Sequence, residues 1–165
     1  MELVDGIGAM RVSSLIGMGN IEIRRATEND SKKLFEWRNY PAIRSVSRNN
    51  GLINWDAHCS WLSAVLADKD RELLIGYIGD EPIGVVRFDK AEDVAEISIY
   101  LVPEADFTGQ GRNLLLSAER WLVVNRPDIR KILAEVLGAN PASQKLFLGA
   151  DYRIEKIQYL KELKG

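Results

Sequence analysis

Two glycines stand two residues apart where a predicted strand gives way to a predicted helix, and this spacing could bind an anion. The segment reads Leu101-Val-Pro-Glu-Ala-Asp-Phe-Thr-Gly109-Gln-Gly111-Arg112. Glycine permits positive φ and close approach of a ligand, and the first amides of a helix have no partners within it. The positive charge of Arg112 in the first turn is unfavourable next to the helix dipole, and a bound anion would offset this effect. On the glycines alone, an ordinary strand-to-helix turn is the simpler interpretation.

A second group of candidate residues lies in the amino-terminal half of the chain. Arg38 and Arg44 carry planar guanidinium groups that suit a diphosphate, and they are equally compatible with solvated charges on a helix. His58 falls between Trp55 and Trp61 at helical spacing, which favours a buried or rim histidine over a catalytic base. Most of the tryptophan surface is expected to lie in the core.

The elements that must position these residues follow from hydrophobic periodicity and turn residues. Alternating segments predict strands, and amphipathic segments with capping residues predict helices. Hairpins followed by strand–helix–strand connections predict an α/β fold. Its sheet is expected to be mixed and mostly antiparallel, with one parallel strand pair, and to be flanked by helices. The predicted strands are 21–24, 72–79, 83–88, 94–102, 129–137 and 152–160, and the predicted helices are 31–39, 42–47, 54–67, 111–125 and 141–148.

Composition excludes several classes of protein. A chain of 165 residues with 46% hydrophobic and 28% charged residues is expected to form one domain. A net charge of −2 gives no basic field for nucleic acid, and one cysteine and one histidine provide neither a disulfide nor a metal cage. No apolar run approaches the roughly 20 residues that span a bilayer. We therefore expect no nucleic-acid partner, no membrane association, no metal and a cytoplasmic location.

The glycine loop resembles that of the GCN5-related N-acetyltransferases, in which Arg/Gln-x-x-Gly-x-Gly/Ala follows a strand. Here the corresponding residues are Asp106 to Gly111. The segment Asn140 to Ala150 is similar to a second family motif, Asn-x-x-Ala/Ser-x-x-Leu-Tyr-x-x-x-Gly-Phe. The resemblance covers about residues 21–160 and implies transfer of an acetyl group from acetyl-CoA to a primary amine. The residues it implies in cofactor binding are Leu101, Val102, Phe107, Thr108, Gly109, Gln110, Gly111, Arg112, Asn140, Ser143 and Phe147.

Two positions depart from the family pattern. Asp106 replaces the Arg or Gln of the loop, and Phe147 replaces a tyrosine that the family often uses as a general acid. A non-catalytic module that binds CoA is therefore an alternative to an enzyme. Glu96 is the candidate base, because it lies on the same side of its predicted strand as Ser98 and Tyr100, and a surface or structural role is an equal alternative.

The helices that carry Trp37-Arg38-Asn39 and His58-x-x-Trp61 resemble the branch that acetylates UDP-linked amino sugars in pseudaminic acid synthesis. The resemblance implies a UDP-linked 4-amino-4,6-dideoxy sugar as substrate. Relatives that acetylate the amino termini of ribosomal proteins share a similar Trp-Arg-Asn segment, so a peptide amine is an alternative. The residues implied in substrate binding are Arg38, Arg44, Trp55 and His58.

Residues 1–20 differ from the rest of the chain, which we predict to form one domain at 21–165. Four glycines crowd into this segment, which predicts a linker. Val4 to Val12 is similar to the carboxyl-terminal end of the UDP-sugar hydrolase of the same pathway, so it is either a remnant of a preceding domain or a flexible tail. A fused or associated hydrolase and a second copy of the chain are the protein partners that we consider.

Overall fold

A five-stranded mixed sheet forms the centre of the fold, with its strands side by side in chain order. The computed structural model describes residues 20–104, 107 and 109–163. Neighbouring strands from β1 to β4 are antiparallel, and the last strand is parallel to β4. This confirms the predicted α/β fold with a mixed sheet. The strands are β1 (Glu22–Arg25), β2 (Arg71–Ile78), β3 (Glu81–Ala91), β4 (Val94–Leu101) and β5 (Lys131–Ala134).

The described residues form five α-helices that flank the sheet, and side-chain caps mark the starts of two of them. Asn54 Oδ1 accepts a hydrogen bond from the amide of Ala57 at 2.8 Å, and Asn140 Oδ1 accepts one from Ser143 at 3.2 Å. Among the described helices, none combines the length and the apolar character needed to cross a membrane. The helices are α1 (Ser31–Asn39), α2 (Pro41–Ser45), α3 (Trp55–Ala67), α4 (Gly111–Asn125) and α5 (Pro141–Gly149).

The two faces of the sheet carry separate hydrophobic cores. One core packs α4 and α5 against the sheet through residues such as Val86, Leu114 and Phe147. The other packs α1 and α3 against the opposite face, because side chains alternate along each strand. Gly84 lets α4 lie close to β3, since a Cβ there would stand 2.3 Å from Leu114 Cδ2.

The predicted last strand at 152–160 is wrong, and β5 is shorter than the predicted 129–137. Tyr152 is anchored, because its ring packs 5.0 Å from the ring of Phe147. Beyond it the described chain carries no strand, and the side chains of Ile154 and Tyr159 are exposed. A strand needs a hydrogen-bonded neighbour, and no described strand pairs with this segment. Alternation of apolar residues is therefore not sufficient to form a strand here.

Candidate functional site

The end of β4 has one open edge. Its pairing with β3 continues to Gly84↔Leu101, whereas its pairing with β5 stops at Ile97↔Ala134. Among the described residues, no strand therefore pairs with 98–101 on the β5 side. Val102 leaves the sheet with its amide bonded to Ile83 O at 2.9 Å. An extended ligand could hydrogen-bond to this edge, as another strand would.

The open edge leads to the amino terminus of α4, where the first amides of the helix lie. The amide of Gln110 donates to Phe107 O at 2.9 Å, and the amide of Leu114 donates to Gln110 O at 2.9 Å. None of the hydrogen bonds among the described residues uses the amides of 111–113. Gly109 has φ +85°, and a Cβ added to it would meet no atom within 4 Å. This geometry suits an anion such as a phosphate. Asp106 and Thr108, predicted members of the loop, lie outside the described residues.

The second predicted motif lies beside this helix start. A Cβ on Gly111 would stand 3.7 Å from Leu146, a residue of α5. Asn140 caps α5 by accepting from the amide of Ser143, and the side chains of these two residues also bond to each other at 2.8 Å. Phe147 is only 7% exposed and belongs to the core. The structure thus gives Asn140, Ser143 and Phe147 structural roles, and their contacts with a cofactor stay a prediction.

Glu96, the predicted base, is part of an ion-pair network at the junction of β4 and β5. Arg48 Nη2 lies 2.8 Å from Glu96 Oε1 and 3.1 Å from Glu135 Oε1. Arg48 belongs to the segment between α2 and α3, and Glu135 directly follows β5. Sequence reasoning missed both residues, because their approach depends on how the strands and the segment pack.

Arg38 and Arg44, the predicted substrate-binding arginines, hold the segment between α2 and α3 against α1. Arg38 Nη2 donates to Asn49 O at 2.8 Å, and Arg44 donates to Asn39 O at 3.1 Å and to Asn50 O at 3.2 Å. Burial lowers the pKa of Arg38, and the like charges of Arg87 and Arg44 lower it further. Arg38 Nη1 is buried and has no hydrogen-bond partner in the described structure.

His58 is buried between aromatic rings rather than open to a substrate. Its side chain is 2% exposed, and its Nε2 lies 2.8 Å from Ser31 O. The ring centroids of Trp55 and Trp61 lie 5.7 and 5.8 Å from that of His58. Burial lowers the pKa of His58, so its neutral form is favoured. Trp55, by contrast, is 45% exposed and its outer ring surface can meet a ligand.

Known proteins resemble this chain in sequence and in fold. A family model described as "Acetyltransferase (GNAT) domain" matches residues 20–153. No curated protein sequence matched the chain.

Solved structures share the fold. A domain from Methanocaldococcus jannaschii is 25% identical with a TM-score of 0.69, over 81% of this chain and 88% of that one. Spermidine N-acetyltransferase from Vibrio cholerae, solved with CoA and spermine, is 18% identical with a TM-score of 0.70, over 79% of each chain. The N-acetyltransferase PseH from Campylobacter jejuni is 16% identical with a TM-score of 0.65, over 84% of this chain and 92% of that one.

Proposed function

The chain belongs to the GNAT acetyltransferase family, and from this premise we propose that its acceptor is the ring amine of a UDP-linked 4-amino-4,6-dideoxy sugar. Family membership makes it an acetyl-CoA-dependent N-acetyltransferase, with acetyl-CoA as co-substrate. The acceptor is the part that the proposal adds.

Residues of the chain itself are suited to hold CoA. The amides at the start of α4 offer donors to its pyrophosphate, and Gly109 leaves room for the approach. The open edge of β4 at 98–101 offers backbone groups to the amide-bearing arm. A backbone amide at this edge can also stabilise negative charge that develops on the thioester oxygen. Gln110 and Arg112 flank these donors in the first turn.

The protons of the reaction must move without the usual tyrosine. The attacking amine has to lose a proton, and Glu96 or a water molecule is the acceptor that we propose. Phe147 has no proton to give to the departing thiolate. A free thiol has a pKa of about 8.5, so a thiolate can leave unassisted near neutral pH.

One observation carries the proposed acceptor, namely the unpartnered buried nitrogen of Arg38. A buried guanidinium N–H without an acceptor is unfavourable, and an anionic group of a ligand would satisfy it. The exposed ring of Trp55 offers a surface on which a base or a sugar could stack. The fold shared with PseH, an N-acetyltransferase, is consistent with this acceptor.

A polycationic amine is the second candidate acceptor. Glu96 and Glu135 converge on one cation, which is the arrangement that an ammonium group would need. In the structure Arg48 already occupies that place, so a polyamine would have to displace it. A related fold binds spermine in the Vibrio cholerae enzyme.

An acceptor panel tests the proposal. The protein is mixed with acetyl-CoA and, separately, with a UDP-linked 4-amino sugar, spermidine, an aminoglycoside and a peptide with a free amino terminus, and release of free thiol is measured. We expect thiol release with the UDP-linked sugar. Acetylation of the peptide or of spermidine, with none of the sugar nucleotide, would reject the proposal.

A matched pair of variants tests the role of Arg38. Arg38→Gln should raise KM for the sugar nucleotide about tenfold to a hundredfold, the usual effect of losing a charge-assisted hydrogen bond. KM for acetyl-CoA should stay within threefold of wild type. Arg24→Gln, which removes an exposed arginine paired with Glu22 on β1, is the control and should change neither constant.

A further inference from the structure

Arg87 and Tyr100 stand on the face of the sheet that packs against α1 and α3. Tyr100 is opposite Val85 in the β3–β4 pairing, and both pack in that core. Arg87 lies two residues beyond Val85, so its side chain leaves the sheet on the same face. Its guanidinium carbon stands 6.0 Å from the ring centroid of Trp61, which belongs to the same core.

Arg38 reaches this place from α1. Its guanidinium lies within electrostatic range of Tyr100, Arg87 and Arg44, and the phenol of Tyr100 lies within range of Arg38 and Arg87. Arg87 and Tyr100 are diagonal neighbours on one face of the sheet, and α1, which carries Arg38, packs against that face. Burial raises the pKa of Tyr100, so its hydroxyl keeps its proton and can donate a hydrogen bond.

Positive charge is in excess at this place. Asp89 accepts a hydrogen bond from Arg87 Nε at 2.9 Å, and Arg71 Nε lies 3.6 Å from Asp89 and 3.4 Å from Asp68. No carboxylate among the described residues forms an ion pair with Arg38 or Arg44, so their charges are not offset. Glu96, which lies on the same face of β4 as Tyr100, is paired with Arg48. No described hydrogen bond satisfies the buried Nη1 of Arg38.

Arg44 is a poorer candidate for binding an anion than Arg87. Two of its nitrogens donate to the backbone oxygens of Asn39 and Asn50. It therefore stabilises the segment between α2 and α3. Arg87 is 31% exposed at its side chain and holds Asp89 through Nε. Its position beside Arg38 and Tyr100 allows it to share an oxyanion with them.

We propose that Arg38, Arg87 and the hydroxyl of Tyr100 bind an oxyanion of the acceptor, a phosphoryl group in the UDP-linked sugar. This deepens the proposed function, on which it rests, and makes Arg87 a specificity-determining residue. Donors from α1, β3 and β4 together would fix the anion relative to the open edge of β4. An amine without an anionic group would lack this anchor.

Calorimetry with UDP and uridine as probes tests the inference. Saturating CoA is present throughout, so that the amides at the start of α4 are already occupied. Wild-type protein should bind UDP at least tenfold more tightly than uridine. Arg87→Gln should weaken UDP about tenfold to a hundredfold and leave uridine unchanged. Arg71→Gln, which removes the other partner of Asp89, is the matched control and should bind UDP normally.

Two further measurements keep the outcomes distinct. Arg87→Lys retains the positive charge but lacks the planar guanidinium fork. If thermal unfolding shows that Arg87→Gln is misfolded, Arg87→Lys is used in its place. Inorganic pyrophosphate should displace UDP, whereas malonate should not. Displacement by malonate alone would mean a carboxylate site and would overturn the phosphoryl assignment. Normal UDP binding by a folded Arg87 variant would overturn the site itself.

The proposed function can fail independently of this site. Binding of UDP that depends on Arg87, without acetylation of any UDP-linked amino sugar, would support the site and contradict the proposed acceptor. Acetylation of the sugar with an unchanged KM in Arg87→Gln would support the acceptor and overturn the site.

Discussion

Arg48 donates from Nη2 to Oε1 of Glu96 at 2.8 Å, across 48 residues of sequence. The carboxylate predicted to act as a base is therefore an ion-pair partner in this structure. Glu96 is 40% exposed at its side chain and Arg48 is 65% exposed, so water reaches both groups. Exposed pairs of this kind contribute at most about 1 kcal/mol, so an incoming amine can separate them.

We expect Glu96→Gln to lower kcat about 100-fold while acetyl-CoA affinity stays unchanged. General base catalysis typically contributes about 10²- to 10⁴-fold, and glutamine cannot take the proton of the amine. Steady-state kinetics with the acetylated acceptor, together with calorimetry of acetyl-CoA, would measure both effects. Glu135→Gln removes the other carboxylate that meets Arg48 and should change kcat less than threefold. Equal losses in the two variants would contradict a specific role for Glu96.

Gly109→Ala should weaken acetyl-CoA binding at least tenfold. The glycine has φ +85°, a conformation that costs an alanine about 1–2 kcal/mol, so the loop should shift. Gly79→Ala is the matched control, because Gly79 has φ +61° in the β2–β3 turn and is equally free of steric contact. Both variants should lose similar stability, and only the first should lose affinity by calorimetry. Wild-type affinity in Gly109→Ala would mean that the loop does not hold the cofactor.

Phe147→Leu should lower the free energy of unfolding by about 1 kcal/mol. It should leave the shape of the pH profile of kcat unchanged. The ring is buried and packs against Tyr152, so its smaller replacement loses contacts in the core. Urea unfolding and kinetics between pH 6 and about pH 9 would measure the two effects. A fall in kcat of several hundredfold with normal cofactor binding would show that the ring has a role in the reaction.

Stability should fall as the pH drops below about 6.5, the ordinary pKa of histidine. Burial lowers the pKa of His58, so the unfolded chain binds this proton more readily than the native one. Protonation therefore favours unfolding. The stability that neutral His58 contributes is fully present only above the pKa of the unfolded chain. Urea unfolding at several pH values should show this loss. In His58→Gln, the free energy of unfolding should depend less on pH above pH 5. An equal slope in the variant would assign the pH dependence to other groups.

The sequence by itself predicted the elements whose signals are local. Asn140 caps the helix that its position indicates, and Asn54, one of two predicted caps with Asp56, caps another. The 111–125 helix begins directly after the predicted loop. Hairpin turns and crossover helices predicted the mixed sheet, because a parallel pair requires a long connection. The glycine spacing predicts an anion site at the start of this helix, and its occupation by a cofactor stays a prediction. Helical spacing between two tryptophans predicted a buried or rim His58, and the structure shows it buried. The substrate contact that the family resemblance implied for it stays a prediction.

Only the tertiary structure decided which distant groups meet. The ion pairs of Arg48 with Glu96 and Glu135 join the α2–α3 segment to β4 and to the residue after β5, and no local pattern in the chain encodes this contact. The segment from Tyr152 has the alternation of a strand, yet a strand forms only where a neighbour accepts its hydrogen bonds. The like charge of Arg87 that lowers the pKa of Arg38 likewise comes from a distant part of the chain, because Arg87 lies on β3 and Arg38 on α1. Periodicity determines which face of a helix or strand a residue occupies, whereas tertiary packing determines which residues that face contacts.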